Sequence, residues 1–458
     1  MTDNSTAPLS KVAPSTVHKP ARLRDIPGNS GLPILGHTLK VIKNPVALGK
    51  KMLAKYGPVY RTNAFFRDSV HLYGVEANEF LLLDKDKNFS SEMGWWPYLG
   101  RLFPRGLMLL DFDEHKAHRR IMATAFKTTP MKGYLERLND AMPERIKAWG
   151  EKGSFEFYPA IKTLSLDMAT TVFLGLEPGE ESEKVNKALT NMVAASVGII
   201  RIPLPGTRMG KGVKSRKYLV QYLDTQIAER RVKTGSDIFT QLCQAEAEDG
   251  TKFTNQEIID HMIFLWMAAH DTITSSVTSL VYQLARNTDW QQKLRTEITE
   301  LGLNDGRLPY KLLNKLELTE FAFKEALRLN PPVPMMPRKT VREVAFGGYI
   351  LPKNTIVNIS PISIHRSEDI WDNPQDFNPL RFSAEGGAKE RHRFAWIPFG
   401  GGAHMCVGLH FAYMQTKVIM THLLPHFEIT VPEGYKAKFQ ILPLIKPIDG
   451  LPITLKAL

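Results

Sequence analysis

One stretch of the chain is apolar on nearly every face of the helix it would form. Between Ile258 and Ala269 stand Ile258, Ile259, Met262, Ile263, Phe264, Leu265, Trp266, Met267, Ala268 and Ala269. Such a pattern belongs to a helix buried through the middle of a domain. Thr254 and Glu257 fit a capping box, with Phe253 as the staple residue, so a helix is predicted over 254–287. At 1.5 Å per residue it would run about 50 Å, a full domain diameter. Its middle is polar: His270, Asp271, Thr272, Thr274, Ser275 and Ser276. Hydroxyls in a helix can bond back to the preceding turn. A buried carboxylate at Asp271 has no such local solution and needs a partner.

The rest of the pattern is mixed. Met1 to Leu23 is rich in Ser, Thr, Pro and Lys without an apolar run. Residues 1–24 therefore read as a disordered tail, with no secretory signal or membrane anchor, and 25–458 as one domain. Ile26 to Pro33 is turn-rich. Asn44-Pro45 opens a helix that Gly57 can close. Two β-prone segments follow, near Val59–Asn63 and Val70–Tyr73. From about Tyr134 to Leu329 the spacing is mostly helical. Gly, Pro and β-branched residues return over 341–364 as short strands. A last helix spans about Gly408–Leu424, with strands after it. The fold class is α+β, predominantly α-helical, with a large helical part and a small β-rich part. No apolar run reaches the roughly 18 residues needed to span a bilayer.

Composition narrows the chemistry. With 458 residues, 43% hydrophobic and 23% charged, the chain can bury a large core and is not disordered or collagen-like. Two cysteines, Cys243 and Cys406, exclude a disulfide-stapled scaffold and a four-cysteine metal site. A reducing, cytoplasmic home follows. The net charge of +12 suits an acidic protein partner or an anionic membrane surface, or is simply a Lys-rich solvated surface. Nucleic acid is not expected, since charge alone supports it and no recognition motif does.

The most informative segment is Phe399-Gly400-Gly401-Gly402-Ala403-His404-Met405-Cys406-Val407-Gly408. Its glycines allow a tight turn and close approach of a flat ligand. Cys406 stands at a predicted helix N-terminus, where free N–H groups favour a thiolate. His404 can donate a hydrogen bond to an anion, and Phe399 can shield the sulfur. A thiolate on such a loop suits the fifth position of haem iron, where it favours O–O cleavage. A buried structural cysteine and a nucleophilic Cys406 paired with His404 are the alternatives.

Here the sequence resembles the cytochromes P-450, the haem-thiolate monooxygenases. Their signature, Phe-x-x-Gly-x-(Arg or His)-x-Cys-x-Gly, matches at every position from Phe399 to Gly408. Three further motifs occur in the family's order: Glu325-Ala326-Leu327-Arg328, Phe377-Asn378-Pro379-Leu380-Arg381-Phe382 and Ala269-His270-Asp271-Thr272. The resemblance runs from about Pro27 to the C-terminus. It implies a P-450 catalytic domain around one haem b, with Cys406 as the iron ligand. It also implies that Glu325 and Arg328 form a buried, fold-locking pair linked to Arg381. His115, Arg119, Arg338 and His404 become candidates for the haem propionates; His115 and Arg119, four apart, face one way on a helix. Phe399, Gly400, Gly408 and Ala268 become further haem contacts. Asp271 and Thr272 would deliver protons for O–O cleavage, with Ala269 where the family often has Gly.

The family's pocket would draw on Met93, Trp95, Trp96, Phe264, Met267, Val333, Met335 and Leu442, a lining suited to a steroid, terpenoid or fatty acid. Plain core packing claims some of these. The stretch from Ile199 to Leu204, followed by Arg208 to Lys217, reads as an ordinary loop and helix start, as a mobile lid, or as a peripheral membrane contact. No dinucleotide fingerprint or flavin domain is present. The resemblance therefore implies O2 as co-substrate and electrons from a separate ferredoxin and NAD(P)H-dependent reductase, docking near Lys116, Arg120 and Lys127. The chain is expected to act as a monomer. A peroxide-driven enzyme and a non-catalytic haem sensor or carrier are the competing readings; Asp271-Thr272 speaks against the first, and a proton relay serves no purpose in the second.

Overall fold

The long apolar stretch forms one uninterrupted helix around which the molecule is built. The computed structural model describes residues 22–198 and 201–458. The helices that position the site are α1 (Pro45–Tyr56), α2 (Val75–Leu83), α3 (Ser91–Leu99), α4 (Phe112–Ala123), α5 (Phe157–Leu174), α6 (Glu180–Ser196), α7 (Arg208–Arg230), α8 (Asn255–Arg286), α9 (Glu317–Leu329) and α10 (Leu409–Leu423). At the start of α8 the predicted capping box is present: Glu257 accepts the Thr254 N–H at 2.8 Å, and Thr254 accepts the Glu257 N–H at 3.3 Å. Asn287 ends it. α5, α7, α9 and α10 pack on α8, so its apolar surface is covered on several sides at once.

Two of the mid-helix hydroxyls bond as expected, Thr274 to the His270 carbonyl at 2.9 Å and Ser276 to that of Thr272 at 2.7 Å. Ser275 differs: it donates across to the Ile445 carbonyl at 2.5 Å, fastening the 441–445 loop to α8.

A second, smaller core lies under a six-stranded sheet. Its strands run in the order Gly28–Asn29, Val59–Ala64, Arg67–Leu72, Ile356–Ile359, Met336–Thr340, Phe89–Ser90. Both predicted N-terminal strands are there, paired antiparallel from Val59↔Leu72 to Ala64↔Arg67. A three-stranded sheet joins Phe427–Thr430, Pro452–Ala457 and Ser154–Glu156. The last of these interrupts the region expected to be helical. It is three residues long and exists because Pro452–Thr454, some 300 positions away, offers it a partner.

α2 and α3 were not evident in the pattern. α3 contains Gly94 and Pro97, both poor helix formers. The Ser90 hydroxyl caps it by accepting the Met93 N–H at 2.8 Å. Gly94 lies so close to the next layer that a Cβ there would sit 2.7 Å from the Arg338 Cα. Leu23–Asp25, at the expected tail boundary, forms a short 3-10 turn with Leu23 against the sheet core; the expected tail over 1–21 lies outside the described residues. No helix among the described residues is long and apolar enough to cross a membrane.

Glu325 and Arg328 are both fully buried on α9. Arg328 grips Glu325 through two parallel hydrogen bonds of 2.7 and 2.8 Å. Its remaining N–H groups reach the carbonyls of His365, Pro374 and Asp376 at 2.7–3.0 Å. Glu325 also accepts from the Asn378 N–H at 3.0 Å and from Arg381 at 3.3 Å. Every arm of the pair is satisfied, which is what makes burying two charges tolerable. His365 passes the connection on: its Nε2 accepts the Ile397 N–H at 2.8 Å, two residues before Phe399. Burial first, then the Arg328 charge, push His365 down to about 3, so it is neutral and able to accept. We expect Glu325→Gln, which leaves a buried guanidinium without its counter-charge, to cost about 3–5 kcal/mol, read as a lower denaturant midpoint.

Candidate active site

The Cys406 segment is a closed loop ending on α10. The Cys406 N–H donates back to the Phe399 carbonyl at 2.9 Å. Gly400 and Gly402 hold φ of +70° and +61°, the left-handed region glycine adopts freely. Their uses differ from the expectation. A Cβ on Gly402 would fall 1.9 Å from the Leu82 carbonyl oxygen, so this glycine makes room for α2. Gly400 has only the His404 carbonyl near, at 3.7 Å, and is the one that stays open. The Phe399 ring is held between Trp396 and Tyr413, with centroids 6.0 and 5.7 Å away.

The Cys406 side chain is accessible to a water-sized sphere, yet burial by surrounding protein is the main influence on its thiol and pushes it up. Both hold for a sulfur open on one side and hemmed in by protein on the others. The N–H of Gly408, at the start of α10, and the Arg119 guanidinium pull the other way without prevailing. The expected thiolate is thus not a property of the bare chain: desolvation outweighs the helix N-terminus. A bound metal cation supplies the missing stabilisation, since a coordinating thiol is deprotonated outright. Cys243, fully buried and pushed up to about 12, is inert packing.

Beside the sulfur, positive groups gather. The His115 and His404 rings lie against each other, centroids 3.9 Å apart and planes tilted by 32°. Burial, then the charges of Arg338, His115 and Arg119, drive His404 down to about 2. Burial, then Arg119 and Arg338, take His115 to about 4. Arg338 is itself pushed down to about 10 by burial. Its side chain donates to the Pro337 carbonyl, and no carboxylate pairs with Arg338 or Arg119 among the described residues. His115 Nε2 is buried without a partner. Four groups that raise one another's energy when charged need anionic company. A haem, with two carboxylates on one edge and a metal for the sulfur, fits both demands.

The far wall is α8. From Ile258 to Ala285 every residue is buried except Met267, Ala268, Ala269 and Thr272, which are half-buried and cluster around one face. This is an accessible window in an otherwise dry helix. The Thr272 hydroxyl donates to the Ala268 carbonyl at 2.7 Å within it. Asp271 points the other way, toward α5. His270 Nδ1 stands 3.2 Å and Lys162 Nζ 3.6 Å from one carboxylate oxygen, ion-pair distances without hydrogen-bond geometry. Burial alone would raise Asp271, but His270 and Lys162 outweigh it and hold the carboxyl below its usual range. α4 bridges the two walls: His115 reaches the cysteine segment while His118 reaches His261 on α8.

The predicted pocket residues fall into three groups. Phe264 is buried, with its ring over Gly106; Met267 belongs to the window. Val333, Met335 and Leu442 are half-buried, and the Ile445 N–H ties their two segments together by donating to the Pro332 carbonyl at 3.3 Å. Met93 and Trp95 are half-buried on α3, whereas Trp96 is 48% exposed with its ring over Gly100. Ile199 and Ile200 lie outside the described residues. Sequence reasoning missed His365, Lys162 and the His118–His261 contact. None belongs to a local motif, and a pattern-breaking polar residue inside an apolar helix, as at His261, is the only signal the chain offers.

A family model described as Cytochrome P450 matches residues 26–451. A Mycobacterium tuberculosis protein named "Putative cytochrome P450 136" is 39% identical over 95% of this chain and 89% of its own. A "Taxane 10-beta-hydroxylase" of Taxus cuspidata is 27% identical over 94% and 89%. The solved structure of "Retinoic acid bound cyanobacterial CYP120A1" superposes with a TM-score of 0.85 at 28% identity, covering 96% of this chain and all of that one. An accessible cysteine beside the Arg119 and Arg338 guanidiniums and the His115–His404 imidazoles is what that kinship accounts for: the chain belongs to the cytochrome P450 family, the oxidoreductases that incorporate oxygen from O2 with haem iron as cofactor.

Proposed function

We propose that this cytochrome P450 hydroxylates a bulky hydrophobic substrate of the steroid, terpenoid or fatty-acid kind, using haem b and electrons from a separate ferredoxin and its NAD(P)H-dependent reductase. The observation that carries this reading is the polar break in α8, where a threonine hydroxyl opens onto the cavity while the adjacent carboxylate is charged and tied to a solvent-reaching lysine.

The haem, when bound, supplies the redox and oxygen-activating chemistry. Cys406 would bind its iron, and His115, Arg119, Arg338 and His404 would hold its carboxylates. Phe399, Gly400 and Gly408 would shape the proximal side. Ala268 and Ala269 leave room above. Thr272 Oγ1, satisfied by the Ala268 carbonyl at rest, can rotate to donate into the cavity. Lys162 is about a third exposed at its side chain while Asp271 is nearly enclosed. The Asp271 carboxylate, which at rest faces Lys162 and His270, would turn toward the Thr272 side to hand on a proton taken up from solvent, while the dry remainder of α8 keeps bulk water out.

Met93, Trp95, Trp96, Phe264, Met267, Val333, Met335 and Leu442 would line the substrate space. The relatives named for a taxane and for retinoic acid, both hydrophobic, support that class. Entry from a lipid surface is supported by one apolar face. It carries exposed Ile202 and Leu204 next in sequence to Arg201, which donates to the Pro97 and Tyr98 carbonyls. Exposed Lys116 and Arg120 on α4, with the overall charge of +12, support an acidic electron donor. A cytoplasmic location agrees with the two unpaired cysteines.

Three outcomes are expected. Cys406→Ala abolishes the thiolate-type absorption of the reduced carbon-monoxide complex and turnover with it; a variant that keeps that band refutes the ligand. Thr272→Ala keeps consuming NAD(P)H but diverts about nine-tenths or more of it to hydrogen peroxide, a loss in the tenfold range of a misplaced proton donor; coupling measured as product per NAD(P)H is the check. Raising salt from about 0.05 to about 0.5 M, which shortens the Debye length several-fold, slows reduction by the ferredoxin at least several-fold in stopped-flow traces.

A further inference from the structure

α4 does more than present His115 and Arg119. One turn on from His115, His118, 8% exposed, meets two groups of α8. His118 Nδ1 and His261 Nε2 are 2.8 Å apart, and His118 Nε2 is 3.3 Å from Glu257 Oε1. The other oxygen of Glu257 caps α8, so this carboxylate is fixed and its free oxygen is aimed at the imidazole. His261 is fully buried and its Nδ1 has no partner. Phe253 walls the pair, its ring 5.3 and 4.8 Å from the two imidazole centroids.

This geometry tolerates one added proton. Neutral His118 can donate from Nε2 to Glu257 and accept at Nδ1 from His261. Protonated His118 donates at both ends, and His261 accepts in its other tautomer. The contacts survive either way, while a positive charge appears within one turn of His115 and Arg119. A second proton, on His261, would sever the pair, but burial pushes His261 down to about 3. The charged groups facing His118 are Glu257 from α8, Glu114 from α4 and Arg105 from the preceding loop, the last two paired with each other. His261 faces His118, Arg105 and His115. Burial, then Arg105, lower His118 from 6.5, while Glu257 and Glu114 hold it up.

The geometry points to Glu257–His118–His261 as a proton-accepting clamp between α4 and α8 that positions the His115–Arg119 cradle and makes the reduction potential of the haem held there depend on pH. The inference rests on the haem reading above. His118 is a positioning residue, acting through its neighbours. Sign follows from charge: a proton gained by His118 favours the reduced, less positive centre, so the potential rises as pH falls through the His118 titration.

The test is the potential of the holoenzyme from about pH 8 to about pH 5, the range of a shifted histidine, beside 15N-histidine NMR of its ferrous carbon-monoxide form. The parent should show a rise below pH 6.5 that coincides with one imidazole titration. His118→Gln, which keeps hydrogen-bonding groups but does not titrate, should flatten that rise and remove the signal. Glu257→Gln, which leaves both imidazoles in place and still caps α8, should move rise and titration together to lower pH. Identical profiles in parent and His118→Gln, or a titration unmoved in Glu257→Gln, overturn the clamp. Material without a haem spectrum overturns the reading of the site instead, and a 15N-histidine titration of that haem-free material, compared between parent, His118→Gln and Glu257→Gln, then decides whether the clamp takes up its proton.

Discussion

Uncompensated positive charge inside a low-dielectric interior is the constraint on which the rest of this structure turns. Arg338 and Arg119 converge with the neutral His115 and His404 imidazoles where water is largely excluded; Asp111 and Asp84 act on Arg338 from a distance, but among the described residues no carboxylate forms an ion pair with either guanidinium. Isolated, such a cluster opposes folding. In the proposed function a dianionic edge beside it would make it favourable, and the same ligand would bring the cation that the Cys406 thiol needs to ionise. Cradle and sulfur are each poorly satisfied alone and complete one another through the group between them. Binding is thereby coupled to stability by mass action.

Two rigid pieces hold this arrangement open. On the sulfur side, the Glu325–Arg328 pair and His365 fix the approach to Phe399 from below, while Gly402 lets the loop lie directly on α2. On the opposite side stands α8, dry except at Met267, Ala268, Ala269 and Thr272. α4 joins the two through His115 and His118. The chemistry thus depends on loop geometry at the cysteine segment, and elsewhere on helices and on the strand Met336–Thr340 that carries Arg338, whose positions are set by packing.

What the sequence disclosed was local. The capping box at Thr254 and Glu257, the all-round apolar run behind it, and the Asn44-Pro45 helix start each follow from neighbouring residues alone, and each is found where the pattern puts it. What it concealed depends on partners far along the chain. α3 exists despite Gly94 and Pro97 because Gly94 packs on Arg338. Ser154–Glu156 is a strand because of Thr454. Ser275 abandons its own helix for Ile445, and His118 finds His261 across 143 positions. The thiol of Cys406 is the most instructive case. Its helix N-terminus was legible, but the desolvation that overrides it is a property of the assembled cavity.

The narrowness of the opening in α8 has a bearing on how the enzyme could be reshaped. Four residues on less than two turns form that whole wall, and none of them touches the supports of the cysteine loop. Trimming Ala269 to Gly would widen the roof at a cost of about 1 kcal/mol in helix propensity, leaving the sulfur and its cradle undisturbed. Within the opening Thr272 carries the proposed proton step while Met267, Ala268 and Ala269 set the room beside it, so an engineer, or natural drift, could alter appetite at those three side chains and leave that hydroxyl in place.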